Sequence, residues 1–319
     1  MRFVVYGAGA VGGVLGAQLH LAGHDVVLIA RGPHLAAIQA HGLRVEGANR
    51  TQTLAIPAAS GPEALRWRPD DVLLLAVKSN DTVAAVQRVS AVADPGTPVV
   101  CVQNGVVNEP TVLRWFERVY GVCVMMPTGH LEPGAVQVHC SPTPGILDLG
   151  RYPSGSDEPS TRLAQAFTDA GFVSQSRDDI MRWKYRKLLM NLGNAVQAAC
   201  RPGAAADELR EVVRQEGEVT LAAAGVDVVS AEHDRARRAG ILTPHDGTER
   251  VGGSSWQSLQ RGTGSIESDY LNGEIVVLGR LHDVPTPANE LVRRVAGRLA
   301  RERATPGSVE AEDLLAELR

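Results

Sequence analysis

The sequence predicts an α/β fold, with a doubly wound parallel sheet in its N-terminal part and an all-helical C-terminal domain. Three observations carry this. Short β-branched runs alternate with helical periodicity through the first half, a glycine-rich turn follows the first of those runs, and strand-like runs largely stop near residue 178. The expected domains are therefore residues 1–178 and 179–319.

The first apolar run is Phe3 to Tyr6, and a helical pattern over Val11 to Ala22 follows it. Further buried-strand patterns lie at Asp25 to Ala30, Asp71 to Val77, Pro98 to Val102 and Gly121 to Met126. Helix-like segments separate them, for example Thr82 to Ala93 and Val112 to Val119. Alternation of this kind implies parallel strands covered on both faces, joined by right-handed crossovers. Ala135 to Leu149 is richer in Pro and Gly and reads as a late strand pair at the sheet edge. Beyond it, helices are expected at Asp179 to Ala199, Asp207 to Ala224, Ala231 to Ala239, after an N-cap at Ser265, and at Ala288 to Arg301. Val226 to Val229 reads as a loop, and Thr305 to Arg319 ends the chain in a short helix.

Composition narrows the function classes. At 319 residues the chain has room for two domains with ordinary cores. A formal net charge of -4, with no run of Lys and Arg, argues against a nucleic-acid surface. The four cysteines show no CxxC spacing, and His139-Cys140 has no second ligand pair at zinc spacing, so no metal is expected and the cysteines read as thiols. Phe3 to Tyr6 is too short and too early for an export signal, and no charge-free apolar stretch approaches the roughly eighteen residues of a membrane span. A soluble, cytoplasmic protein is expected, either a monomer or a homodimer.

The first strong motif is Gly7-Ala8-Gly9-Ala10-Val11-Gly12, a GxGxxG between a predicted strand and a predicted helix. In that setting Gly7 makes the tight turn, Gly9 lets a pyrophosphate approach the backbone, and Gly12 lets the helix pack on the strand. This is the dinucleotide signature of a Rossmann-type sheet. The second strand ends Leu28-Ile29-Ala30-Arg31, with a guanidinium where an NAD-specific site would place an acid. Arg31 can pair with a 2′-phosphate and stack on adenine, so the expected cofactor is NADP(H). Lys78 and Asn104 end the next two strands, on the edge where open sheets bind ligands.

A nicotinamide reductase also needs a proton donor. In Trp183 to Asn194, the residues Lys187, Asn191 and Asn194 are spaced i, i+4 and i+7 among apolar neighbours, a polar stripe on one helix. Desolvation of a lysine there would lower its pKa toward that of a useful general acid. Lys184 is a second lysine on the same segment, and spacing does not decide between the two. Glu267 falls in the first turn after Ser265, where the macrodipole favours a carboxylate whatever else it does.

In this order the motifs GAGAVGG, VKSNDT, QNG, KLLMN, GGSSWQS, IESDYLNG and HDVPTPANELV make the chain resemble the ketopantoate reductase family nearly end to end. The resemblance implies NADPH-dependent reduction of 2-dehydropantoate to pantoate, as in pantothenate and coenzyme A biosynthesis. It implies Lys187 as proton donor and Asn104 against nicotinamide and substrate, with Lys78 near the cofactor. Asn191 and Ser255 would bind the keto acid, and Glu267 would organise the site beside substrate and cofactor. It also implies a two-domain clamp whose closure expels water. Two positions depart from the family pattern. Ala195 stands where an asparagine is common, with Asn194 its nearest substitute, and Leu259 where an acid is common. They leave open a different branched 2-keto acid, and a non-catalytic NADPH-binding sensor is the alternative from another class.

Overall fold

The computed structural model describes residues 1–47, 50–243 and 252–319. Contacts divide the chain into two units, Met1–Lys184 with Glu232–Glu249, and Tyr185–Ala231 with Arg250–Arg319.

In the first unit the chain runs β1 (Arg2–Tyr6), α1 (Ala10–Leu21), β2 (Asp25–Ile29), α2 (Gly32–His41), β3 (Leu43–Glu46), β4 (Thr51–Leu54), β5 (Ala58–Ala59) and β6 (Asp71–Leu75). It continues through α3 (Thr82–Ser90), β7 (Val99–Cys101), α4 (Asn108–Val112), β8 (Val119–Met125), β9 (Thr128–Gly129), β10 (Ala135–Val138), β11 (Ile146–Arg151) and α5 (Glu158–Asp169). Helix α6 (Ile180–Asn191) begins here and ends in the second unit.

Seven strands form the main sheet in the order β11-β8-β7-β6-β1-β2-β5, all parallel except β11, which runs antiparallel to β8. From β1 the chain winds outward through β2 and β5, then crosses back to β6 on the other side of β1. The switch point therefore lies between the tips of β1 and β6, where such sheets bind ligands. One face buries Phe3, Val5, Leu28, Leu74 and Val100 against α1 and α5, and the other buries Val4, Leu73, Leu75, Val86 and Phe116. Period-2 alternation along each strand divides the residues between these two cores.

Three expectations are corrected here. Ala135 to Leu149 is not a strand pair, because β10 joins a second sheet of order β4-β3-β10-β9 while β11 edges the main one. Helix does not extend over Val112 to Val119. One turn continues to Phe116, which bonds back to Val112 O, but Arg118 O accepts from Val99 N and draws the chain into β8. Ser265 caps no helix. It is exposed, and Glu267–Tyr270 forms a short 3₁₀ turn instead.

The second unit adds α7 (Gly193–Ala199), α8 (Ala204–Ala223), the start of α9 (Ala231–Arg238), α10 (Ser254–Gln260), α11 (Asn272–Leu281), α12 (Pro287–Glu302) and α13 (Ala311–Glu317). It is helical, as expected. The helix read over Asp179 to Ala199 is present as α6 and α7, joined through Leu192, which keeps helical dihedrals (φ -57°, ψ -35°). The rest of α9 returns to the first unit, where Arg237 makes two bonds to the buried Asp148 of β11, at 2.9 and 2.8 Å. Among the described residues no helix is long and apolar enough to cross a membrane.

Candidate active site

The glycine loop lies at the switch point of the main sheet. Gly7 has φ +104°, and a Cβ there would sit 2.8 Å from the Ala76–Val77 backbone at the tip of β6, so no side chain fits. A Cβ on Gly12 would strike Gly7 O at 2.1 Å, which explains the close packing of α1 on β1. A Cβ on Gly9 would meet His130 Cδ2 at 3.8 Å, an ordinary contact, and no closer atom. Helix α1 has no side-chain N-cap and no acidic residue in its first turn. A glycine before the uncapped positive end of a helix suits a pyrophosphate, so the cradle fits a dinucleotide. His34 braces it from behind. Its Nε2 lies 2.7 Å from Ala8 O while Nδ1 accepts from Gly134 N at 2.8 Å, a pair of bonds that fixes the neutral ring with its proton on Nε2.

Arg31 follows β2 and is 85% exposed, bonded to Asp81 Oδ2 at 2.8 Å. Asp81 belongs to the 3₁₀ turn Ser79–Asp81 that follows β6, which Lys78 precedes. Lys78 and Asn104, both half-buried, sit at the tips of the neighbouring strands β6 and β7. A directional network ties these tips together. Gln103 Nε2 donates to Val77 O and to Thr82 Oγ1, both at 2.8 Å. Thr82 Oγ1 donates in turn to Asn108 Oδ1 at 2.8 Å. Asn108 Nδ2 then reaches Ser79 Oγ and Asn104 O, each at 3.1 Å. The sequence pointed to Lys78 and to the QNG turn with Asn104, but not to Thr82 or Asn108, which help hold these backbones. The spacing of Asn104 and Asn108 was the available signal.

Lys184 also belongs to this framework. It is 2% exposed, donates to Gln103 O at 2.9 Å and Val122 O at 3.1 Å, and pairs with the fully buried Glu109 at 2.8 Å. Burial pushes the Glu109 carboxyl up from its ordinary range, and the Lys184 ammonium holds it down. All three donor directions of the ammonium are taken by protein groups, so Lys184 reads as a structural cation.

In the second unit, α6 carries Lys187, half-buried, and Asn191, 5% exposed, one turn apart. Asn191 Nδ2 has no hydrogen-bond partner among the described residues. A buried amide left with an open donor costs free energy unless something polar meets it. Leu192, between α6 and α7, keeps helical dihedrals (φ -57°, ψ -35°) and donates to Leu188 O at 3.1 Å, and Asn194 is the second residue of α7. Asn194 faces the start of α10, its Oδ1 3.6 Å from where a Gly253 Cβ would be, while Gly253 N donates to Gln197 Oε1 at 2.9 Å. Ser255, 4% exposed, is the second residue of α10. Glu267 is buried in the 3₁₀ turn before α11.

The family model for ketopantoate reductase PanE/ApbA matches residues 3–154, and the model for that family's C-terminal part matches residues 179–300. The chain belongs to the ketopantoate reductase family. The 2-dehydropantoate 2-reductase of Mesorhizobium japonicum is 31% identical, with 95% of this chain and 99% of that protein covered. The enzyme of the same name from Pyrococcus horikoshii is 29% identical, over 92% of this chain and 95% of that one. Among solved structures, a PanE/ApbA family ketopantoate reductase from Ralstonia eutropha superposes with a TM-score of 0.80 at 29% identity, covering 95% of this chain and 99% of that one. A D-mandelate dehydrogenase bound to NADH and anilino(oxo)acetate, TM-score 0.81 at 22% identity with 95% and 99% covered, shares the fold. As a member of the ketopantoate reductase family the protein is an oxidoreductase that uses NAD(P)H.

Proposed function

We propose that the enzyme reduces 2-dehydropantoate to pantoate in the cytoplasm, with NADPH as the reductant. The observation that carries the reading is the buried Asn191 amide with an open donor, one turn beyond Lys187, in a chain matched nearly end to end by relatives named for this reaction. When bound, NADPH would supply the hydride. The loop Gly7 to Gly12 would hold its pyrophosphate, Arg31 would pair with its 2′-phosphate, and Lys78 and Asn104 would bind toward its nicotinamide. Lys187 gives its proton to the ketone oxygen as the alkoxide forms, and Asn191, Asn194 and Ser255 hold the keto acid. Glu267 orders the substrate hydroxyl.

The test is NADPH oxidation with 2-dehydropantoate, followed by absorbance. Loss of a general acid costs roughly 10²–10⁴-fold in rate, so Lys187→Ala should fall by that much. Turnover retained in Lys187→Ala rejects the mechanism.

A second substrate is favoured by one observation. Ala195 and Leu259, where the family carries an asparagine and an acid, are 2% and 3% exposed. Apolar groups at both places suit a branched 2-keto acid lacking the terminal hydroxyl. Comparison of kcat/KM across such acids decides between the two.

A further inference from the structure

Two motifs, IESDYLNG and HDVPTPANELV, have so far lent the site only Glu267. Their asparagines, Asn272 and Asn289, are both 0% exposed and hydrogen-bonded to each other. The chain of bonds begins at Glu216 on α8. Its carboxylate accepts from Ala288 N at 2.8 Å, Asn289 N at 2.9 Å and Asn289 Nδ2 at 2.9 Å, capping the start of α12. Asn289 Nδ2 also donates to Val213 O at 2.9 Å. With its nitrogen so engaged, Asn289 must present Oδ1 to Asn272, whose Nδ2 donates to it at 3.0 Å. The same Nδ2 donates at 3.0 Å to Leu192 O, at the junction of α6 and α7.

The direction of this relay is set from one end. A carboxylate can only accept, so each amide downstream is oriented in turn, and flipping Asn272 would set oxygen against oxygen at both Leu192 and Asn289. The orientation has a cost, because Asn272 Oδ1 is buried with no partner. An orphaned buried acceptor costs free energy, and a core selected for stability alone would place a carbon there. The carbonyl that Asn272 holds belongs to the residue directly after Asn191 and two before Asn194, at the junction of α6 and α7.

We propose that Asn272, oriented through Asn289 by Glu216, is a positioning residue that sets the placement of Lys187 and Asn191 by holding the Leu192 carbonyl. The inference rests on the reading of those two residues as proton donor and substrate ligand.

Asn272→Asp preserves shape but replaces the donor by an acceptor. The expected result is a fall in kcat of at least about tenfold with KM for NADPH within about twofold, together with a displaced limb in the pH dependence of kcat. A purely structural role would lower Tm and leave kcat per folded enzyme and the pH profile unchanged, and that result overturns the proposal. Should Asn272→Asp fail to fold, Glu216→Ala tests the same relay from its half-buried end, because it removes the carboxylate that accepts from Asn289 Nδ2. It should reproduce the split between kcat and KM, and an unchanged kcat there is equally fatal. Lys187→Ala is measured alongside. If it retains turnover, the functional reading fails; if it is inactive while the relay variants match wild type, only the relay fails.

Discussion

The Lys184 ammonium lies 2.8 Å from a Glu109 carboxylate oxygen, and the two side chains are 2% and 0% exposed. Lys184 and Lys187 are three residues apart on α6, yet their surroundings differ. Lys184 is saturated by a carboxylate and two backbone carbonyls within the first unit, and it also holds Gln103, the residue before Asn104. A cation so enclosed has no proton to spare for a substrate, and its loss should register as instability.

Breaking a buried pair by removing one partner costs about 3–5 kcal/mol, because the other charge stays buried without compensation. Lys184→Met should lose about that much in denaturant unfolding, and Lys184→Met/Glu109→Leu should recover most of it. The pH dependence has a definite sign. Burial already holds Glu109 above its ordinary value of 4.5, and without the ammonium the rise must be larger. The folded variant then keeps a proton that the unfolded chain releases. Its stability should decline as pH rises above about 4.5, by up to about 1.4 kcal/mol per unit, until the folded pKa is passed. Stability that stays flat across that window would show that Glu109 is not desolvated.

Arg31 offers the opposite case. Its pair with Asp81 is exposed, so it contributes little to stability, and the guanidinium is available to a 2′-phosphate. Arg31→Ala should raise KM for NADPH by about tenfold or more, leave KM for NADH nearly unchanged, and not move Tm. Asp81→Asn removes the competing carboxylate and should lower KM for NADPH slightly. Equal effects of Arg31→Ala on both cofactors would assign the 2′-phosphate to another residue.

The features legible in the sequence are the local ones. Gly7 to Gly12 carries its own instructions, because turn, close approach and helix packing are all settled within six residues. Lys78 and Asn104 were legible because each simply ends an apolar strand. The second sheet was not. Leu43–Glu46 and Thr51–Leu54 are short and half polar, and β3 pairs with β10, whose residues lie about ninety positions away. The bond to Leu192 O was hidden for the same reason, since Asn272 is eighty residues distant. Within the candidate site, the residues proposed to meet a ligand were readable by type and spacing. Those that hold them, Thr82, Asn108, Glu109 and Asn272, were not, because their partners are set by the fold.

Thr82 Oγ1 accepts from Gln103 Nε2 and donates to Asn108 Oδ1, so one hydroxyl joins two amides. Thr82→Val keeps the shape and deletes that link. Both amides are buried, and each unmatched group costs about 1–3 kcal/mol. Stability should fall by about that amount or somewhat more. The functional consequence follows from what the amides hold: Gln103 bonds Val77 O, beside Lys78, and Asn108 bonds Asn104 O. Loosening both tips together should raise KM for NADPH and lower kcat in the same variant, whereas Lys187→Ala should lower kcat with KM for NADPH little changed. If Thr82→Val loses stability but keeps both kinetic constants, the network supports the fold of the sheet edge and not the cofactor's placement.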